Sequence, residues 1–202
     1  LEEVRSLKAD GYQEITLLGQ NVNAYGKDLN ADYDFATLLI EVAKTGIPRI
    51  RFTTSHPWDF NSRMIEAIRD YDNIMPFVHL PLQSGDSDVL RRMGRRYTYE
   101  EYKRLYNEIR EKVPGVSITT DIIVGFPNET EEQFNNTLKA ADELAYDGAF
   151  TFIYSPRTGT PAARMVDEVS MEDKHIRFNK LVDIINKRGL ERNLAYEGKV
   201  LK

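Results

Sequence analysis

The sequence of 202 residues contains no cysteine. These residues therefore form no disulfide and hold no metal through thiolate. Apolar runs of membrane-spanning length are missing too, as is any charged-then-apolar stretch of the signal type. Positive charge is not in excess: 27 basic against 32 acidic side chains leave a net charge of −5, so a nucleic-acid role needs a local basic patch rather than a global field. The three histidines, His56, His79 and His175, lie far apart and show no metal-ligand spacing. No Gly-x-Ser-x-Gly elbow, phosphate-binding loop or dinucleotide fingerprint occurs, which leaves hydrolase, kinase and dehydrogenase readings without support.

What is present is a soluble globular composition, 41% hydrophobic and 29% charged, in which short apolar or β-branched runs alternate with amphipathic segments. The runs predict strands over Glu14–Leu18, Arg49–Thr53, Phe77–Leu82, Ser117–Val124 and Ala149–Tyr154. Helices are predicted over Leu1–Asp10, Phe35–Lys44, Ser62–Asp70, Asp86–Met93, Tyr99–Glu111, Glu131–Leu144 and Met171–Ala195. Thr98 with Glu101 and Thr130 with Gln133 have the capping-box spacing that starts a helix. Such alternation implies a parallel sheet with right-handed crossovers, a count that six- or eight-fold barrels and open doubly wound sheets all satisfy. No internal linker is visible, so one domain is expected. The opening Leu1-Glu2-Glu3-Val4 already reads as helix and Glu197–Lys202 as the start of a strand, which makes a piece of a longer protein the expectation.

Parallel α/β enzymes bind ligands at the carboxyl ends of their strands. Those ends carry Gln20 and Asn21, Thr54 and Ser55, Gln83 and Ser84, Asp121, and Phe152 with Tyr154. The set is rich in neutral hydrogen-bonding groups and poor in acid–base pairs. It suits a ligand with hydroxyls, a carboxylate and a heteroaromatic ring better than it suits hydrolysis. Gln83 can bond a ribose hydroxyl, and Arg95, returning from the following helix, can hold a carboxylate bidentately; Arg91, Arg92, Arg95 and Arg96 can equally form a solvated face. Asp121 lies inside an apolar strand, where an unpaired carboxylate is costly, and a ligand contact is favoured over a backbone partner. Gly125 lets backbone approach a ligand closely. Phe150, Phe152 and Tyr154 fall on one face at period two, a pattern that is more often core than a stacking platform.

The segments Leu18-Gly19-Gln20-Asn21, Thr54-Ser55-His56-Pro57, His79-Leu80-Pro81-Leu82-Gln83-Ser84-Gly85, Asp121-Ile122-Ile123-Val124-Gly125-Phe126-Pro127 and Phe152-Ile153-Tyr154-Ser155-Pro156-Arg157-Thr158-Gly159-Thr160 resemble the radical S-adenosylmethionine methylthiotransferases. The Thr-Ser-His-Pro and Tyr-Ser-x-Arg-x-Gly-Thr forms point to the MiaB branch, which modifies tRNA rather than a ribosomal protein. The resemblance implies a partial (β/α) barrel of the TIM-like radical S-adenosylmethionine type with parallel strands. The cluster loop and first strand would precede Leu1, the barrel core would span residues 1–196, and residues 197–202 would begin an RNA-binding TRAM domain. It further implies a cytoplasmic enzyme with S-adenosylmethionine and two [4Fe–4S] clusters. Such enzymes place methylthio at C2 of N6-isopentenyladenosine at position 37 of tRNA and need an external electron donor.

Carried over residue by residue, the resemblance puts Gln20 and Asn21 at the methionine end of the cofactor. Gln83, Arg95 and Asp121 fall around its ribose and carboxylate, and Thr54 and Ser55 at the third strand end. Ile123 falls with Phe152 or Tyr154 along the adenine. Arg92 and Arg96 are expected to face the tRNA backbone. Cluster ligation requires thiolates, which this chain lacks, so these residues alone are expected to be inactive. The rivals are a ribosomal-protein (aspartate) methylthiotransferase core and a cluster-free module that binds a nucleoside or tRNA.

Overall fold

The computed structural model describes residues 1–28, 33–53 and 55–200. Its elements, in chain order, are α1 (Glu2–Ala9), β1 (Glu14–Leu17), α2 (Phe35–Lys44), β2 (Arg49–Phe52), α3 (Ser62–Asp70), β3 (Phe77–His79), α4 (Ser87–Arg92), α5 (Tyr99–Lys112), β4 (Ser117–Val124), α6 (Glu131–Leu144), β5 (Gly148–Ile153) and α7 (Met171–Leu194). The chain divides into two compact units, Leu1–Leu80 with Leu105–Ser117, and Pro81–Arg104 with Ile118–Lys202.

In the first unit β1 and β2 pair in parallel, Ile15 opposite Ile50 and Leu17 opposite Phe52. Ile50 and Phe52 are buried, and Phe35 of α2 meets Phe52 edge-on at 5.5 Å. Helix starts are set locally: Asp34 accepts the Thr37 N–H (2.9 Å) ahead of α2, and Asn61 accepts that of Met64 (3.0 Å) ahead of α3.

In the second unit β4 and β5 pair in parallel, and α7 packs on β5 and α6. Along β4 the residues Ile118, Thr120, Ile122 and Val124 are buried, while Thr119, Asp121 and Ile123 are only half-buried. Period-two alternation thus assigns one face of β4 to the core and the other to a site. Both capping boxes form: Thr98 N–H donates to Glu101 (2.8 Å) with Glu101 N–H returning to Thr98 Oγ1 (3.2 Å), and Thr130 and Gln133 exchange the same pair at 3.0 and 3.2 Å.

Two expectations are corrected here. Phe150 and Phe152 are 64% and 50% exposed, so the aromatic stripe of β5 is an open face and not core. Helix α4 stops at Arg92, one residue inside the predicted end at Met93; Gly94 takes the left-handed conformation (φ +75), and Arg95 and Arg96 lie beyond it. At the other end, Ala195–Gly198 forms a turn where a strand opening was expected, and residues 201–202 lie outside the described part.

Candidate functional site

The open face of the β4–β5 pair organises the site. Register places Asp121 opposite Phe150 and Ile123 opposite Phe152, and the Tyr154 N–H continues the ladder by donating to Val124 O (2.9 Å). Parallel partners share a face, so Asp121, Ile123, Phe152 and Tyr154 are brought together by pairing alone. Gln83 joins them through backbone: its N–H donates to Asp121 O (2.8 Å), and its carbonyl accepts from Ile123 N–H (2.9 Å). It does so with φ of +73, a conformation that costs a non-glycine residue roughly 1–3 kcal/mol and recurs at ligand sites.

A cavity of about 830 Å³ opens on this face, lined by Gln83, Arg92, Arg95, Asp121, Ile123, Phe126, Phe152 and Tyr154 and closed by the turn carrying Arg157, Thr160 and Pro161. Its polar groups are held in place by the frame. Tyr97, buried and with its hydroxyl pushed above the ordinary tyrosine range by that burial, donates to the carbonyls of Pro81 (3.1 Å) and Leu82 (3.0 Å) just before Gln83. Leu82 N–H donates to Thr120 Oγ1 (2.8 Å). Gly85 is required by packing: a Cβ there would meet Ala140 Cβ, the Asn136 carbonyl oxygen and Thr137 Cα, each at 2.7 Å.

Two buried hydrogen-bonding groups at this cavity have no partner among the described residues, Arg95 Nε and the Tyr154 hydroxyl. Buried polar groups are nearly always satisfied, by protein or by water, so these two are available to bond whatever fills the cavity. Around them lie an amide (Gln83), a carboxylate (Asp121) and an apolar slot between Ile123, Phe126 and Phe152. Such a lining can receive a carboxylate, hydroxyl groups and a flat apolar ring. For an iron–sulfur cluster the donor set does not fit. The chain has no cysteine, and no group of His, Asp and Glu among the described residues could hold a metal ion.

The other cofactor candidates, Gln20, Asn21, Thr54 and Ser55, belong to the first unit. Gln20 is exposed. Asn21 donates to Asp59, which also pairs with Lys27; burial raises the Asp59 carboxyl, but those two partners outweigh it and hold the group below the usual range. Ser55 is buried, its hydroxyl without a partner among the described residues, and Thr54 lies outside them. Asn23, which the sequence did not single out, ties these two strand-end loops together: its amide donates to His56 O (2.9 Å) and accepts from His56 N–H (3.0 Å).

The arginines separate by environment. Arg95 lines the cavity, and Arg91 pairs with Asp88. Arg92 turns inward, donating to Pro127 O (2.6 Å), Gln133 Oε1 (3.0 Å) and Asp88 Oδ2 (3.1 Å) with its guanidinium 5.7 Å from the Phe126 ring centroid. Each of its three nitrogens thus bonds the protein, and of the two arginines expected to face the tRNA backbone Arg92 is half-buried and Arg96 exposed. Gly125 is explained differently from the sequence reading. With φ of +67, it makes room for Lys174, whose Cγ would lie 2.5 Å from a Cβ at that position.

Comparison with known proteins extends this picture. The model of the radical SAM superfamily matches residues 1–141. The whole chain is 55% identical to the tRNA-2-methylthio-N(6)-dimethylallyladenosine synthase of Anoxybacillus flavithermus and 53% identical to that of Staphylococcus epidermidis, covering 38% and 39% of their lengths. The chain thus spans about two fifths of the curated relatives it matches. Among solved structures, coproporphyrinogen III oxidase from Escherichia coli, a radical SAM enzyme, superposes over 93% of this chain and 45% of its own with a TM-score of 0.66 at 18% identity. Methylornithine synthase does so over 92% of this chain and 53% of its own with a TM-score of 0.59 at 18% identity. At that identity the likeness concerns the fold, an α/β arrangement with parallel strands of the partial radical SAM barrel type.

Proposed function

The chain belongs to the radical SAM superfamily, and from that premise we propose that it is the cofactor-binding core of a tRNA methylthiotransferase. In this reading the complete protein adds a methylthio group to C2 of N6-isopentenyladenosine at position 37 of tRNA. The cavity on the β4–β5 face takes S-adenosylmethionine. The superfamily joins S-adenosylmethionine to [4Fe–4S] clusters for radical chemistry, and an external donor supplies the electron. Cluster thiolates come from outside these 202 residues, which contain none.

What this chain's own residues do is bind and orient. Arg95 offers an unpaired, buried N–H to the cofactor carboxylate. Gln83 and Asp121, fixed at adjacent backbone positions, take the ribose hydroxyls, and Ile123, Phe126 and Phe152 exclude water from the ring. On the family resemblance alone, Gln20 and Asn21 are proposed for the methionine end and Thr54 and Ser55 for the third strand end. Arg96 meets the tRNA backbone.

The observation that carries the proposal is the pair of orphaned buried donors in a cavity with an amide, a carboxylate and an apolar slot, on a chain 51–55% identical to tRNA methylthiotransferases over its whole length. The test is cofactor affinity of the full-length protein carrying Gln83→Ala or Asp121→Asn. Each change should weaken binding by about 1–3 kcal/mol, the cost of an unsatisfied buried partner, with cluster content unchanged. Unaltered affinity in both variants would remove these residues from the cofactor site.

A further inference from the structure

Lys174, on α7, is only 3% exposed. A buried ammonium is costly, and three arrangements accommodate this one. Its charge pairs with Asp167. Its stem lies in the space left by the missing side chain of Gly125. Its Nζ lies 5.6 Å from the centroid of the Tyr154 ring. The same ring is met edge-on by Phe126 at 5.2 Å with 70° between planes. The phenol is therefore held by a cation, an aromatic edge and a ladder hydrogen bond at its own N–H, while its buried hydroxyl has no partner among the described residues.

We propose that Lys174 is a positioning residue, holding the Tyr154 phenol so that its hydroxyl donates to an acceptor atom of the adenosyl or carboxylate portion of the bound cofactor. The inference rests on the cavity being the cofactor site. Lys174 itself does not touch the ligand. It couples α7 to the two strand ends that wall the cavity, the Gly125 turn after β4 and Tyr154 after β5.

A double-mutant cycle on the full-length protein tests this, with S-adenosylhomocysteine as the probe and calorimetric affinity as the readout. Tyr154→Phe keeps the ring and should weaken binding by roughly two- to tenfold, the worth of one hydrogen bond. Lys174→Met keeps the stem and should weaken it to a similar extent. Added to a protein that already carries Tyr154→Phe, it should cost almost nothing more, because both changes remove the same contact. Asp167→Asn, which frees the ammonium at a partly exposed position, guards against a Lys174 variant that fails to fold and should show the same dependence on the Tyr154 hydroxyl. Equal losses with and without that hydroxyl, or no loss from either the Lys174 or the Asp167 change where Tyr154→Phe has one, would overturn the inference. A wild-type protein that does not bind the probe, or a Tyr154→Phe variant of undiminished affinity, would instead refute the assignment of the cavity or of Tyr154 to the cofactor, and the inference with it.

Discussion

Removing Arg92 should damage the fold around the cavity and not the grip on RNA. The Arg92 side chain is 20% exposed, and its guanidinium spans three elements: Asp88 within α4, Gln133 in the first turn of α6, and the carbonyl of Pro127 in the turn after β4, with Phe126 beneath it. Arg92→Ala strands the Pro127 carbonyl, frees Gln133 from one of its partners and loses the ring contact. The pair with Asp88 is a half-exposed i,i+4 bridge worth little. Counting about 1.5–3 kcal/mol for the charged hydrogen bonds, ~0.5–1 for the cation–π contact and a few tenths for the bridge, and allowing for relaxation, the loss should be about 2–4 kcal/mol. Arg92→Lys should recover only part, because a point ammonium cannot serve three acceptors in a fork. Arg96, exposed and past the end of the helix, should cost less than about 0.5 kcal/mol on truncation. Urea unfolding of the chain reads both, with an unchanged slope certifying that the shift in midpoint is stability. An Arg92→Ala chain as stable as wild type, in a full-length protein that has lost tRNA affinity, would refute the reasoning and return Arg92 to the RNA-facing role.

Other outcomes follow from the same geometry. Arg96→Ala in the full-length protein should lower tRNA affinity and reduce the salt slope by about one unit, measured by filter binding across a salt series, with cofactor affinity unchanged. The 202-residue chain should bind S-adenosylmethionine only in the millimolar range, because the cluster that chelates its methionine end is not supplied; micromolar affinity by calorimetry would contradict this. Glu129 is buried, and desolvation raises its carboxyl above 4.5 despite hydrogen bonds from Gly125 N–H and Arg177. A raised acid favours the folded state at low pH and loses that contribution as pH climbs through the folded value, so Glu129→Gln should flatten the stability profile above about 4.5. Asp59, held low, behaves oppositely: the penalty of Asp59→Asn should be present at neutral pH and fade as pH falls below 3.8.

Much of this was legible because the local signals were strong. Strand β4 is bounded to the residue by the alternation of Ile118, Thr120, Ile122 and Val124, and α6 by the Thr130–Gln133 box, both of which act within a few residues. Strand β3 proved shorter than its apolar run: Pro81 has no N–H to give a ladder, and beyond it Gln83 takes a positive φ that nothing local announces. The aromatic face of β5 was misjudged because period two reports a face, not which side of the sheet is filled. Lys174 was invisible: among the polar residues of α7 nothing marks it, and its partners Gly125 and Tyr154 lie 49 and 20 positions away. Asn23 was hidden for the same reason, since its partner His56 is 33 residues on.

The central claim is tested most directly by mass spectrometry of tRNA hydrolysates. The full-length protein, reconstituted anaerobically with iron and sulfide, would be incubated with isopentenylated tRNA, a reductant and S-adenosylmethionine. The account predicts a 2-methylthio-N6-isopentenyladenosine peak that depends on the cofactor and falls sharply in the Asp121→Asn and Arg95→Ala variants. No methylthio-nucleoside from a cluster-replete, cofactor-binding protein, or methylthio appearing on a ribosomal-protein aspartate in its place, would contradict it.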